Sequence, residues 1–221
     1  MESNTSFNKI IQTALKILKT PVAFYQTMPK SGGYLEPMLF VIVMAIFVGL
    51  IMTLFSILGL GMHGGMMAGI GTILFTVIAS IISSFIGAAI IFVIWKLLGS
   101  NESYEVSYRC IAYASVVYPL VAILSPIPYL GSILSTLLGT ILMIIASIEV
   151  HGIKPKTAYI VFCVLGIIAA LTNISNEMVV RNMAEQTDEF TSQFGDLSKM
   201  PPEEAGRTLG EFFKGLEQGV Q

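Results

Sequence analysis

The sequence predicts an all-α protein: a polytopic integral membrane bundle of five transmembrane helices, with an amphipathic N-terminal helix and a helical acidic C-terminal tail. Three observations predict it. Of 221 residues, 54% are hydrophobic and only 12% are charged, with a mean hydropathy of +0.79; soluble domains carry about 25% charged residues. Two long stretches hold no Lys, Arg, Asp or Glu: 59 residues from Pro37 to Trp95 and 39 residues from Cys110 to Ile148. Clusters of Gly and Pro cut these stretches into pieces near the roughly 20 residues that a helix needs to cross a hydrocarbon core.

The first 37 residues form one region. Phe7, Ile10, Ile11, Ala14, Leu15 and Leu18 recur at helical spacing, and Lys9, Gln12, Thr13 and Lys16 take the other face. Such a helix either lies in the membrane interface with its lysines toward headgroups or packs on the protein's own loops. Pro21 ends it, because the residue before a proline is pushed out of helical space. Phe24, Tyr25 and Tyr34 are expected at headgroup depth. Pro29, Gly32 and Gly33 turn the chain, and Pro37 stands in the first turn of the first span.

The membrane domain covers 38–174. Its expected spans are 38–60, 70–98, 110–124, 130–148 and 157–174. Between the first two lies GLGMHGGMMAGIG, with six glycines in thirteen residues, a turn. The 39-residue run is too long for one helix and breaks at Ser125-Pro-Ile-Pro-Tyr-Leu-Gly131, since proline removes a backbone donor and crowds the preceding turn. Pro119 is expected to kink the third span. Ribbons of small residues (Ala45, Gly49 and Thr53; Ser80, Ser84 and Ala88; Gly131, Ser135, Gly139 and Ser147) argue for close helix packing, within the chain or between copies. Residues 175–221 form the acidic tail; from Asn173 onward the chain has four basic and nine acidic residues. Pro201-Pro-Glu-Glu204 reads as a helix start, followed by an apolar stripe of Leu209, Phe212, Phe213 and Leu216.

Lys and Arg are retained on the cytoplasmic side. Lys9, Lys16, Lys19 and Lys30 precede the first span, Lys96 and Arg109 flank the second loop, Lys154 and Lys156 lie in the fourth, and the other two loops have none. Five crossings then put the N-terminus in the cytoplasm and the C-terminus outside. The first apolar core begins near Met38, too far in and too long for a cleavable leader, so it is expected to insert permanently.

Little chemistry is legible. The spans hold no ionisable side chain at mid-depth, where transporters and pumps place them for function. Arg109 is expected at a cytoplasmic helix end, where it can snorkel; Glu149 and His151 lie near the boundary, where ordinary solvation is expected and a polar cluster with Lys154 is the alternative. His63 and His151 fall at opposite ends of the bundle, so no intramembrane serine has a base within reach. HExxH, phosphate loops and dinucleotide fingerprints are absent. Cys110 and Cys163 sit in apolar runs and read as inert thiols. Met62, His63, Met66 and Met67 are soft ligands of the kind that suits Cu(I), but among so many glycines they read as an ordinary interfacial turn. No catalytic, cofactor-binding or metal residue and no nucleic-acid partner is therefore expected. The expected contacts are the lipid bilayer and protein partners or a second copy of the chain.

Three segments carry a resemblance. TPVAFYQTMPKSGGYLEPMLF, SYRCIAYASVVYPLVAILSPIPYLGSIL with Tyr113-Ala114 and the Ile127-Pro128-x-x-Gly131 turn, and EVHGIKPKTAYIVF together resemble, in order and spacing, the bacterial branch of the Yip1 domain family, over about Thr20 to Leu171. The resemblance implies a five-helix membrane domain with a cytosolic N-terminus. Eukaryotic members are associated with vesicle traffic, membrane shaping and Rab-type GTPases. Their Asp-Leu-Tyr-Gly-Pro motif is missing here, so no GTPase partner is carried over. The expectation is a non-enzymatic protein that organises membrane or partner proteins in a bacterial plasma membrane, with a eukaryotic endomembrane as the alternative location. A permease or channel built on the hydroxyl-bearing, proline-kinked spans is the alternative function.

Overall fold

The computed structural model describes residues 2–60 and 70–197, together with 201, 203, 206 and 207. The Met-His turn and most of the acidic tail, including the Leu209–Leu216 stripe, lie outside the described residues. The elements are α1 (Glu2–Lys19), α2 (Pro21–Thr27), α3 (Leu35–Ile57), α4 (Ile70–Leu97), α5 (Tyr104–Ala114), α6 (Val117–Ala122), α7 (Leu130–Glu149) and α8 (Pro155–Leu197). No strand occurs among the described residues. Residues up to Glu177 form one compact unit and those from Met178 a second; the account below concerns the first.

Four helices are long and apolar enough to cross a bilayer: α3, α4, α7 and the Pro155–Gln186 part of α8. At 1.5 Å per residue the 20 residues of α7 reach about 30 Å. The outward faces of α3, α4 and α7 are largely apolar. On α4, Ile70, Leu74, Ile78, Ile82, Ile86 and Ile90 are all exposed, one turn apart, the composition of a face solvated by lipid rather than water.

The predicted third span is two helices, not one kinked one. Helix α5 begins at Ser103, whose Oγ accepts from the Val106 N–H, and stops at Ala114. Pro119 explains the break: it has no N–H for the Ser115 carbonyl four residues back and its ring crowds that carbonyl. The Ser115 carbonyl accepts instead from Tyr118 N–H at 3.0 Å, a tighter turn, after which α6 carries Pro119 harmlessly in its own first turn. Neither piece is long enough to span alone, yet together they run along α3. Arg109 of α5 lies 3.7 Å from Glu36 in the first turn of α3, and Ser125, just past α6, contacts Met52 near the other end. Sixteen residues of helix separate Glu36 from Met52, about 24 Å.

Helix α7 returns. Its start is capped by Glu177 of α8: one carboxylate oxygen accepts from the Tyr129 N–H at 2.8 Å and the other from the Ser132 hydroxyl. An anion there suits the positive end of the helix. Tyr129 holds a φ of 64°, in the left-handed region that costs a β-carbon residue energy. Its other end meets the end of α4, where Trp95 donates to Ser147 at 2.7 Å. Helix α8 does not stop near residue 174, where the apolar run ends. No Gly or Pro lies between Gly166 and Gly195, so nothing local breaks it before Leu197.

The small-residue ribbons are used within the chain in part. Ala45, Gly49 and Ala88 pack α3 on α4, and a Cβ on Gly49 would stand 3.0 Å from Ile73 Cα. Gly87 and Gly139 have open space around them. Gly49→Val should force α3 from α4 and cost about 1–3 kcal/mol, read as a lower melting temperature of the detergent-solubilised protein. Gly87→Ala should not lower that temperature and should raise it slightly, since Ala in a helix interior is favoured over Gly by about 0.5–1 kcal/mol.

Candidate functional site

One end of the bundle is closed by α1, α2 and the segment that follows them to Tyr34. Lys19 ends α1, and Pro21, placed at the start of α2, turns the chain through Thr20. The segment predicted as an interfacial elbow therefore contains a helix of its own. Phe24 and Tyr25 are 6% and 1% exposed, and Phe24 meets Tyr113 edge-on at 5.1 Å. These two rings are core residues, contrary to the headgroup position expected of them. The reason is local: a helical α2 puts them on the face turned to α5. Tyr25 then donates its hydroxyl proton to the Cys110 carbonyl at 3.2 Å, and burial raises its pKa well above the usual phenol value. Only Tyr34 stays partly exposed, its ring 5.5 Å from that of Tyr108.

Beyond α2 the chain runs over Arg109. This guanidinium is 1% exposed, so it does not snorkel. Its Nη2 donates to the Gly33 carbonyl at 2.8 Å and its Nε to Glu105 at 3.4 Å. The same Glu105 oxygen accepts from the Gly33 N–H at 2.7 Å. The backbone N–H and C=O of one residue, Gly33, are thus gripped by an ion pair one helical turn apart on α5. Glycine is required for the approach. Gly32 and Gly33 have φ of 118° and 79°, and a Cβ on Gly32 would sit 3.1 Å from Arg109 Nη2. Glu36 faces Nη1 at 3.7 Å and holds Lys9 of α1 at 2.7 Å.

Two further ties complete the cap. Lys30 bridges Glu102, at 2.6 Å, and the Val150 carbonyl, at 3.2 Å. Gln26 donates to Glu149 at 2.8 Å. Glu149 and His151 do not cluster with Lys154, which is exposed.

His151 is stacked on Trp95 with ring centroids 3.7 Å apart. Ser100 Oγ accepts from the Glu102 N–H and lies 2.7 Å from His151 Nδ1. Cys110 Sγ lies 3.9 Å from the other ring nitrogen, Nε2. Burial, then the nearby Lys30 and Lys96 charges, lowers the His151 pKa from 6.5 to about 3. A Cys beside a His oriented by a Ser has the outline of a nucleophile with its base. The distance exceeds the roughly 2.6–3.2 Å such pairs need, and Cys110 and His151 are 0% and 7% exposed, which leaves no room for a substrate. The chemistry of the arrangement is packing: a neutral imidazole joining α4, α5 and the α7–α8 loop. Among the described residues no group of three or more His, Cys, Asp and Glu is placed to hold a metal ion.

Sequence reasoning placed most of these residues at one end of the bundle but missed their partners. Trp95 stands in the sequence only as the end of an uncharged run, and the fold supplies the serine and histidine that cover it. The Gly32-Gly33 pair was the readable signal, since paired glycines mark a close backbone approach as well as a turn.

Two outcomes follow. Arg109→Met strands Glu105 and the Gly33 carbonyl and should cost about 2–4 kcal/mol, below the 3–5 typical of a broken buried pair because water reaches the carboxylates; thermal unfolding in detergent measures it, and Arg109→Lys should recover only part. His151 is held neutral, so its contribution is complete above pH 6.5. As pH falls below that value the unfolded chain takes up a proton that the folded one refuses, and stability should fall by about 1.4 kcal/mol per unit toward pH 3. Melting curves of the native chain and His151→Gln across pH 4–8 should show this extra acid slope in the native chain alone.

The arrangement is that of a membrane bundle with a folded polar cap. The family model described as the Yip1 domain matches residues 15–174, from within α1 to within α8. No curated protein and no solved structure gives a significant match. The matched region takes in the elbow, the Arg109 grip, the His151 stack and every helix that builds the bundle, well over half of the chain, and the chain therefore belongs to the Yip1 domain family.

Proposed function

We propose that this chain is a non-enzymatic, five-crossing membrane protein that holds its N-terminal helix as a fixed ledge on the cytoplasmic surface of a bacterial plasma membrane, and through it organises lipid or partner proteins. The observation that carries the reading is the gripped Gly33 peptide. A helix tethered by a loose linker samples many orientations; one tied by Arg109, Glu105 and Lys30 has a single orientation relative to the bundle.

The ledge has the composition for an interface. Helix α1 buries Ala14 and Ile17 against the bundle and leaves Phe7, Leu15 and Leu18 exposed. On a helical wheel those three lie between the buried face and the lysines. Both readings of α1, packed on the protein and laid in the interface, thereby use different parts of its apolar arc. The count of five rests on α5 and α6: a break at depth is tolerated where neighbouring helices pack against it, and these two follow α3 from its first turn to Met52. The sidedness rests on the eight basic residues before the tail, of which Lys9, Lys30 and Arg109 are built into the cap.

Reporter fusions test the topology. A reporter active only outside the cytoplasm should work after Gln221 and fail after Ser100. A cytoplasmic C-terminus would remove the odd number of crossings. Photo-crosslinking residues at Phe7 or Leu18 should capture lipid or discrete partner proteins from native membranes. Solute flux in reconstituted vesicles that changes with Ser84 or Pro119 substitution would instead make the bundle a permease.

A further inference from the structure

Where α1 crosses the first turns of α3 the surface is hollowed into a cavity of about 290 Å³, near the lower end of ligand-sized pockets (about 300–1,000 Å³). Its two sides differ in chemistry. Lys9, Thr13 and Glu36 line one part; Ile10, Leu39 and Phe40 line the other. Leu39 is 39% exposed and the adjoining Leu35 63%, so the apolar wall continues onto the outer face of a helix apolar enough to span the membrane.

The polar side is charged in both signs. Lys9 Nζ and Glu36 Oε1 are 2.7 Å apart, with side chains 71% and 46% exposed. Exposed pairs of this kind contribute little and exchange partners readily. Behind Glu36 stands a charge that cannot leave: Arg109 Nη1, buried, without a hydrogen-bond partner and 3.7 Å from Glu36 Oε2. An incoming group that presented a cation to Glu36 and an anion to Lys9 would replace the exposed pair with two pairs. An anionic group without an amine would satisfy Lys9 but bring its negative charge against Glu36.

We propose that this groove is a binding site for a zwitterionic glycerophospholipid whose headgroup carries a phosphate and a primary amine. The phosphate pairs with Lys9 and Thr13, the ammonium with Glu36, and the first part of an acyl chain lies along Ile10, Leu39 and Phe40. The proposal rests on the reading that α1 lies at the bilayer boundary, and not on which side of the membrane it faces.

The test uses the full chain in phosphatidylcholine nanodiscs doped with photoactivatable phosphatidylethanolamine or phosphatidylglycerol, with adducts mapped by peptide mass spectrometry. Labelling of peptides containing Leu35–Phe40 should be at least fivefold higher from the ethanolamine probe. Lys9→Gln and Glu36→Gln should each reduce that preference to near unity. Their folding is checked by melting temperature, and labelling of α4 serves as the bulk-lipid reference. Soluble glycerophosphoethanolamine at the same concentration should not displace the label, because it lacks the chain. Equal labelling by the two probes, a preference untouched by Lys9→Gln, or displacement by the chainless headgroup would each overturn the proposal. A reporter result that inverted the topology would leave the groove standing, and equal labelling here would leave the topology standing.

Discussion

A single buried guanidinium organises the closed end of this protein. Removing Arg109 from water costs several kcal/mol that its partners must offset, and the partners are spread over the chain: Glu105 one turn away, the Gly33 carbonyl in the elbow and Glu36 at the start of α3. None of the three alone would suffice. The charge is stable only when elbow, α3 and α5 are all in place, so its burial couples the N-terminal segment to the bundle. The grip on a backbone peptide, rather than a side chain, also dictates sequence locally. The Gly32-Gly33 pair supplies both the positive φ values and the absence of a Cβ where Arg109 approaches.

Around that charge aromatic rings fill the space. Phe24, Phe40 and Tyr113 meet edge-on, Phe85 and Tyr108 stack, and Trp95 lies on His151. Rings with one polar atom suit this depth, where an apolar body and a single hydrogen bond are both needed. Trp95, Tyr25 and Tyr104 each find that bond. The neutrality of His151 belongs to the same economy. A charged imidazole would have to be solvated where no water reaches and would face two lysines. Its site makes it a packing residue, although its side-chain type and its neighbours Cys110 and Ser100 would suit chemistry elsewhere.

The surfaces that remain are apolar and outward on the long helices, amphipathic on α1. Membership of the Yip1 domain family and helices able to cross a bilayer make this a membrane protein in contact with lipid. Within the first unit the polar side chains of the cap are spent on one another rather than gathered around an empty centre.

The sequence by itself determined that the chain is all-α and membrane-embedded, where the first, second and fourth apolar helices lie, and that the basic residues gather at one end. These follow from composition, run length and the short reach of Gly and Pro effects, all local quantities. The tertiary structure alone decided three things. It laid the two pieces that Pro119 separates, α5 and α6, one after the other along α3. It joined α8 at Glu177, past the end of the apolar run, to the start of α7, because the carboxylate there meets the Tyr129 N–H and the Ser132 hydroxyl. It placed Arg109, Phe24 and Tyr25 inside, because whether a polar or amphipathic side chain snorkels or is buried depends on what covers it, and the cover, α2 and Gly33, comes from some 75–85 residues away along the chain.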